Sequence, residues 1–428
     1  MKYSPRYRLF PNTQQREQLE WTVDVVRQVY NDALGKYKEV PRDAGTLRQR
    51  VRSIRDELPS MKSWWSELND VYSTVLQNAV MRIRDNVKSL QELQKQGSGA
   101  GELKWKAPRE FRSFTYNKKG FELDKKSGPS GRGTLTLKKI AGDNITVPIR
   151  LHRDFPEHDS IQQLTVKQDT TSAWHVSFTI KTDSPEKPAV DEIDVSDCVG
   201  IDLGITTFIH DSDGREIGRL DLSEDRERLE RAQRSLSRKQ HGSNNWSEQR
   251  RRLAEVHQRM SNKKRDFKHK LAHFYTTSYD AVFLEDLNVK SVLEGDGNAR
   301  NTQEVGWRDL IRIFEHHGRK NGCHVITVEP AGTTKECASC GVSTEKPLWV
   351  REHSCPTCGF STDRDLNAAA NILHRGVEEL GVVHSESTPA ETATATSTDG
   401  SCLAAVVDAS RVVEAGSRVL KEPASTRE

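Results

Sequence analysis

Residues 337–373 read CASCGVSTEKPLWVREHSCPTCGFSTDRDLNAAANIL. Two Cys-x-x-Cys pairs, Cys337/Cys340 and Cys355/Cys358, stand fourteen residues apart. Each pair lets two thiolates reach one ion from a tight turn, and two pairs complete a tetrahedral four-sulfur zinc site. Gly341 and Gly359 follow the second Cys of each pair, where a positive φ lets backbone N–H groups approach the sulfurs. Four protein ligands leave no open coordination position, so the expected Zn²⁺ is structural. Seven residues after Cys358 comes Asp365, directly before a helix-forming run, LNAAANIL. An acid is electrostatically favoured at a helix start, so Asp365 taken singly carries no function.

Two further acids change its weight. Asp202 lies inside the apolar strand-like run Val199-Gly200-Ile201-Asp202-Leu203, and Glu285 closes another, Ala281-Val282-Phe283-Leu284-Glu285. A buried carboxylate without a partner is costly, so each needs a donor or a cation. A strand acid, a later strand-end acid and a helix-start acid are the arrangement by which an RNase H-like sheet gathers carboxylates around two divalent ions for phosphodiester chemistry. Oxygen ligands and substrate phosphates suit Mg²⁺ or Mn²⁺ at such a site.

The charge pattern points to a polyanion. The 428 residues carry a net +3 and a mean hydropathy of −0.74. Residues 377–428 hold a net −5, which leaves +8 on the first 376. Residues 226–270 alone contain fifteen Lys/Arg against five Asp/Glu, a density that matches phosphate neutralisation with counterion release. Arg250, Arg251, Arg252, Lys263, Lys264 and Arg265 are the candidate contacts there. Lys104, Trp105, Lys106, Arg109, Arg112 and Tyr116 mix bases with aromatics, as stacking on RNA or single strands requires. No apolar window long enough for a membrane span exists and the N-terminal MKYSPRYRLFPNTQQ has no signal-peptide core. A cytoplasmic location follows as the expectation, and in a reducing compartment seven cysteines argue for metal rather than disulfides.

The hydrophobic period organises the rest. YRLFPN reads as a short strand; Leu19, Val23, Val26, Tyr30, Ala33 and Tyr37 outline a helix, and residues 44–58 a second. A third is expected to carry Leu68, Val71, Val75, Ala79, Ile83, Val87 and Leu90. From about Leu103 the period becomes two, and TLTLKKI, NITVPIRL, IQQLTVKQ and WHVSFTIK read as strands of a small antiparallel barrel joined by the N-terminal strand. Residues 183–192 form a polar linker. CVGIDLGITTFIHDSDGREIG then reads as two strands, followed by helices over 224–239 and 247–275, the strand AVFLEDL, a helix over 305–320 and the strand HVITVEP.

GIDLG, FLEDL and CxxC…CPTCGFSTDRDLNAAANI resemble the RuvC-like nuclease and zinc-ribbon signature of the TnpB/OrfB family, encoded by insertion sequences and related to type V CRISPR effectors; the resemblance covers residues 2–373. It implies a multidomain α/β plus β-barrel chain. Residues 1–10 and 103–182 would form a wedge barrel, 11–102 a helical recognition insert, and 193–330 with 363–376 an RNase H-like (RuvC) domain. Residues 331–362 would be a zinc-ribbon insert that binds target nucleic acid, and 377–428 an acidic disordered tail.

The resemblance further implies an RNA-guided DNA endonuclease, with guide RNA and target double-stranded DNA as partners and one chain per RNA favoured. Asp202, Glu285 and Asp365 correspond to its catalytic acids, and Asp365 is chosen over Asp363 because it directly precedes the LNAA run. The segment ELKWKAPREFRSFTY departs from the family's Gly-Phe-Pro-rich form, so no individual RNA contacts carry over. Two other readings remain open at this stage: a transposase with RNase H-like chemistry, and a guided DNA binder without cleavage. None of the fourteen histidines forms an H-x-H pair, which argues against a two-histidine, tyrosine-nucleophile transposase.

Overall fold

The computed structural model describes residues 1–97, 99–125, 131–152, 161–204, 207–286, 306–347 and 349–382. They fall into two compact units: Met1–Thr182 with Lys239–Glu255, and Asp183–Arg238 with the described residues from Val256 onward. Among the described residues, no helix is long and apolar enough to cross a membrane.

The first unit opens with strands β1 (Lys2–Tyr3) and β2 (Arg6–Leu9), then helices α1 (Thr13–Glu39), α2 (Leu47–Asp56), α3 (Leu58–Met61) and α4 (Ser73–Lys95). Strands β3 (Ser113–Asn117), β4 (Phe121–Asp124), β5 (Arg132–Ile140), β6 (Asp143–Arg150), β7 (Ile161–Gln168) and β8 (Trp174–Lys181) follow. They pair in the order β3-β7-β8-β2-β6-β5-β4, with β1 also on β8, as one eight-stranded antiparallel sheet. Alternation along β8, where Trp174, Val176, Phe178 and Ile180 are buried, is the period-two signature of a sheet with one face in the core. Helix α1 starts where a capping box forms: Gln15 N donates to Asn12 Oδ1 and Asn12 N donates to Gln15 Oε1.

Three expectations for this unit are corrected. The third helix begins at Ser73; Leu68 sits in a 3₁₀ turn (Ser66–Asp70) and Val71 is extended. Both are buried, so they keep the hydrophobic spacing without the helix. Strands β3 and β4 were not anticipated, being four or five residues long among lysines and glycine. Tyr116, expected on a nucleic-acid surface, is fully buried on β3, and its hydroxyl donates to the Lys138 carbonyl at 2.7 Å.

The second unit is built on a five-stranded sheet of β9 (Cys198–Leu203), β10 (Thr207–Asp211), β11 (Glu216–Gly218), β12 (Ala281–Glu285) and β13 (His324–Val328). Its order is β11-β10-β9-β12-β13. The first three strands are antiparallel, and β9, β12 and β13 run parallel. The sequence showed two strands before residue 219; the sheet has three, because the DSDG turn closes a hairpin whose second arm, β11, is only three residues long. Helices α5 (Ser223–Ser237) and α6 (Asn244–Ser278) connect β11 to β12, and α7 (Trp307–Asn321) precedes β13. The short β14 (Glu352–Ser354) and β15 (Ser361–Asp363) pair with each other and lead into α8 (Arg364–Leu380).

Alternation along the central strands assigns the faces. Val199, Ile201, Leu203, Val282 and Leu284 pack with Phe267, Leu271 and Tyr275 of α6 and with Leu310 and Phe314 of α7. Cys198, Ala281 and Phe283 share the other core with Ile372 and Val377 of α8. Helix α8 lies unusually close to the sheet: a Cβ on Gly200 would stand 2.2 Å from the Ala369 carbonyl oxygen, and one on Gly376 would stand 2.0 Å from the Phe283 ring. The glycine of GIDLG and the alanines of LNAAANIL thus serve one close strand–helix approach. The expected tail boundary at residue 377 moves: Val377 and Val382 are buried in this core. The acidic stretch from residue 383 lies outside the described residues.

Candidate functional site

Asp202 and Glu285 reach one place because of register. Leu284 pairs with Ile201 across the parallel strands, so Glu285 and Asp202 are the next residues on β12 and β9. Both belong to the α8-facing alternation and stand toward the carboxyl ends of parallel strands, where open α/β sheets form their sites. Both are more than nine-tenths buried. Asp365 arrives from α8. Asp363 is the helix cap, its Oδ1 accepting from the N–H groups of Asp365 and Leu366, so the choice of Asp365 over Asp363 has a geometric counterpart. Asp202, His210 and Asp365 each bring a ligand atom within 4.8 Å of the others.

The acids repel. Burial pushes the Asp202 carboxyl up to about 8, and the neighbouring charges of Glu285 and Asp365 push the same way. Burial also raises Glu285, against the Thr333 hydroxyl, which donates to Glu285 Oε1 at 2.6 Å. Two guanidiniums hold Asp365: Arg351 at 3.2 Å from Oδ2 and Arg364 at 3.2 Å from Oδ1. An acid-rich, buried donor set of this kind is complementary to a cation.

The sign of the pH effect follows. An ordinary carboxyl titrates near about 4, so between that value and about 8 the unfolded chain is ionised at Asp202 while the ion-free fold holds its proton. The ion-free fold therefore loses stability as pH rises through that window. A cation needs the ionised carboxylate, so its binding releases the proton and tightens with pH. Adding Mg²⁺ in chelator-free buffer should raise the thermal unfolding midpoint more at pH 8 than at pH 6; an equal rise at both would contradict the proton count.

The cysteines converge: Cys337, Cys340, Cys355 and Cys358 place their sulfurs within 4.8 Å of one another, with Sγ–Sγ distances of 3.7 Å (Cys337–Cys358) and 3.6 Å (Cys340–Cys355). Gly341 and Gly359 have φ of +74° and +76°. The N–H groups of Cys358 and Thr357 pull the Cys355 thiol down to about 6, while Cys337 and Cys340 in the same crowd of sulfurs are held above the ordinary thiol value. This donor set suits zinc. The knuckle is bolted to α8. Asn367 and Asn371, one turn apart, donate through Nδ2 to the Glu336 carbonyl at 2.7 and 2.8 Å, and Asn367 Oδ1 accepts from Ala338 N. The second knuckle lies between β14 and β15, and β15 ends at the Asp363 cap. Gly359 and Phe360 alone separate Cys358 from β15, and β15 runs directly into α8.

The basic candidates divide. Lys104, Trp105 (67% exposed), Arg109, Arg250 and Arg265 lie on the surface. Arg112 is spent on backbone carbonyls of Arg109 and Asp169, and the Lys106 backbone is clasped by Asn31. Arg251 and Arg252 pair with Glu255 and Glu248 along an exposed face of α6. Lys263 instead neutralises the buried Asp225, together with Arg228 and Arg259. Lys264 lines a pocket with Phe208, Arg219, Arg226, Phe267 and Lys268. Sequence reasoning missed His210 and Thr333. Only a known β9–β10 register would have flagged the first, because His210 pairs directly with Asp202.

Three family models match. One, OrfB_IS605, described as "Probable transposase", matches residues 179–294; a "Cas12f1-like, TNB domain" matches 307–372; and a "Helix-turn-helix domain" matches 1–40. Residues 1–40 here are two short strands of the eight-stranded sheet and the single long helix α1. A Streptomyces pristinaespiralis protein named "Putative RNA-guided DNA endonuclease" is 32% identical over 385 residues, 88% of this chain and 90% of that protein. One from Escherichia coli K12, "Putative RNA-guided DNA endonuclease InsQ", is 28% identical over half of this chain and 57% of its own length. Among solved structures, a Cas12f1–sgRNA–target DNA complex matches with a TM-score of 0.54 at 16% identity, over 85% of this chain and 83% of that one. The mini-RNA-guided endonuclease Cas_phi3 matches with 0.52 at 10% identity, over 90% and 92%. At these identities the structural likeness speaks for the fold.

Proposed function

The chain belongs to the TnpB/OrfB family, and from that premise we propose that it is an RNA-guided DNA endonuclease of an insertion sequence. The full-length relative supports the activity. The observation that supports it in this chain is that Asp202 and Asp365, from separate elements, offer ligand atoms within 4.8 Å of each other, with Glu285 at the end of the strand paired beside Asp202. Guide RNA and target double-stranded DNA are the partners, with specificity set by base pairing and by a short flanking motif that the protein reads.

In this reading the second unit's sheet is an RNase H-like (RuvC) domain, the eight-stranded sheet is the wedge and α1–α4 are the recognition insert. Residues 331–362 are the target-nucleic-acid-binding zinc ribbon. Asp202, Glu285 and Asp365 hold Mg²⁺ or Mn²⁺, and the four cysteines hold Zn²⁺. Buried carboxylates whose ionisation is suppressed fit a divalent ion, which would supply an activated water and stabilise the leaving oxygen. The chain's own residues do the positioning. Thr333 fixes the Glu285 carboxylate, Asp363 caps the helix that presents Asp365, and Arg351 and Arg364 stand beside Asp365 as cations for the phosphate.

The test is to sequence the RNA that co-purifies and use it to direct cleavage of DNA with a randomised flank. One flank motif should disappear from the uncut pool in Mg²⁺. Joined ends or covalent protein–DNA adducts would favour a transposase instead.

A further inference from the structure

The Asp202–Asp365 pair has a third neighbour that the family signature does not contain. His210 stands on β10 directly opposite Asp202 and is 6% exposed. Its Nδ1 has no hydrogen-bond partner and faces Asp365 Oδ2 at 3.9 Å, beyond hydrogen-bond length. Its other nitrogen, Nε2, lies 3.4 Å from Glu216 Oε1, and Glu216 pairs with His210 across β10 and β11.

This arrangement has a chemical logic. A carboxylate beside Nε2 draws the ring proton to that side, which leaves the Nδ1 lone pair facing the Asp365 carboxylate. Lone pair against carboxylate is repulsive, and a buried acceptor with no donor is expensive. A cation bound between them removes both costs. Carboxylate, imidazole and metal in line is also how ligating histidines are held, with the outer carboxylate fixing tautomer and ring orientation.

We propose that His210 is a ligand of the nuclease metal centre, binding through Nδ1 beside Asp202 and Asp365, and that it biases this site from Mg²⁺ toward Mn²⁺. Glu216 is the positioning residue that aims the ring. The bias is relative to Mg²⁺ alone: Mg²⁺ is selected by all-oxygen sets, whereas Mn²⁺, though at the weak end of the first-row series, accepts an imidazole nitrogen more readily than Mg²⁺ does. The inference rests on the nuclease reading above, and its test separates the two.

Mn²⁺ is titrated into the RNA-free full-length chain with its cysteine site zinc-loaded, and pulsed EPR reads nitrogen coupling to the bound ion. Wild type should show ¹⁴N modulation that changes to the ¹⁵N pattern when histidine is ¹⁵N-labelled, a comparison that needs no variant. His210→Asn should lose the modulation and weaken Mn²⁺ binding by about tenfold or more, with Mg²⁺ affinity changed much less. Glu216→Gln should keep the modulation and weaken Mn²⁺ to a smaller extent. Mn²⁺ binding that depends on Asp202 yet shows no histidine nitrogen overturns the ligand assignment and leaves the nuclease reading standing. No Asp202-dependent Mn²⁺ binding at all overturns both.

Discussion

Asp202→Ala should abolish guided DNA cleavage, by at least about 10³-fold, while guide RNA and target DNA still bind. Removing a member of a catalytic unit costs rate on that scale, and Asp202 is buried inside the sheet within 4.8 Å of Asp365 and on the strand beside Glu285. Binding should survive, because removing a suppressed carboxyl relieves repulsion instead of creating it. Glu285→Gln and Asp365→Asn should follow the same pattern. The informative contrast is Asp363→Ala, two residues from Asp365. Asp363 spends its carboxylate on the α8 cap, so its loss should cost about 1 kcal/mol of helix stability and less than tenfold in cleavage. Equal damage from Asp363→Ala and Asp365→Asn would mean the wrong acid has been placed in the centre.

The second large effect lies outside the acid cluster. Cys355→Ser should bring bound zinc from one ion per chain to none and lower cleavage by about 10²-fold or more, even at DNA concentrations that saturate binding. The knuckle supplies no reacting atom. It holds the strand pair β14–β15, whose last residue caps α8, and the Asn367 and Asn371 contacts tie the first knuckle to the same helix. Misplacing a reacting group by about 1 Å costs rate on this order. Zinc content by elemental analysis and single-turnover cleavage check the two halves separately. Normal cleavage in a zinc-free variant would reduce the knuckle to an accessory of DNA binding.

These expectations were legible to different depths. Asp202 and Glu285 stood out because an acid inside or closing an apolar strand run is costly, and that cost is visible in one dimension; Asp365, an ordinary helix-start acid, gained weight only beside them. The four cysteines were legible for the same reason: their spacing is their geometry. Gly200 of GIDLG could be noticed, but its purpose needed α8, whose Ala369 carbonyl oxygen would stand 2.2 Å from a Cβ there. His210 was invisible. What draws attention to it is the β9–β10 register, which sets it directly opposite Asp202, and pairing register is not carried by the period of either strand. Tyr116 failed in the opposite direction. Aromatic and basic residues mixed over a dozen positions resemble a stacking surface, yet a five-residue strand buries alternate residues whatever their polarity. Lys263 likewise joined a basic run but answers a buried carboxylate, Asp225, contributed by a different helix.

The claim that organises all of this is that RNA chooses the DNA and the acid cluster cuts it. The direct measurement replaces the targeting segment of the co-purified RNA with an unrelated sequence and maps cut sites on DNA carrying both targets beside the same flank. Cleavage should move entirely to the new target, require Mg²⁺ or Mn²⁺, and vanish with Asp202→Ala. Cleavage that stays at the old sequence, or that survives Asp202→Ala, would contradict the account.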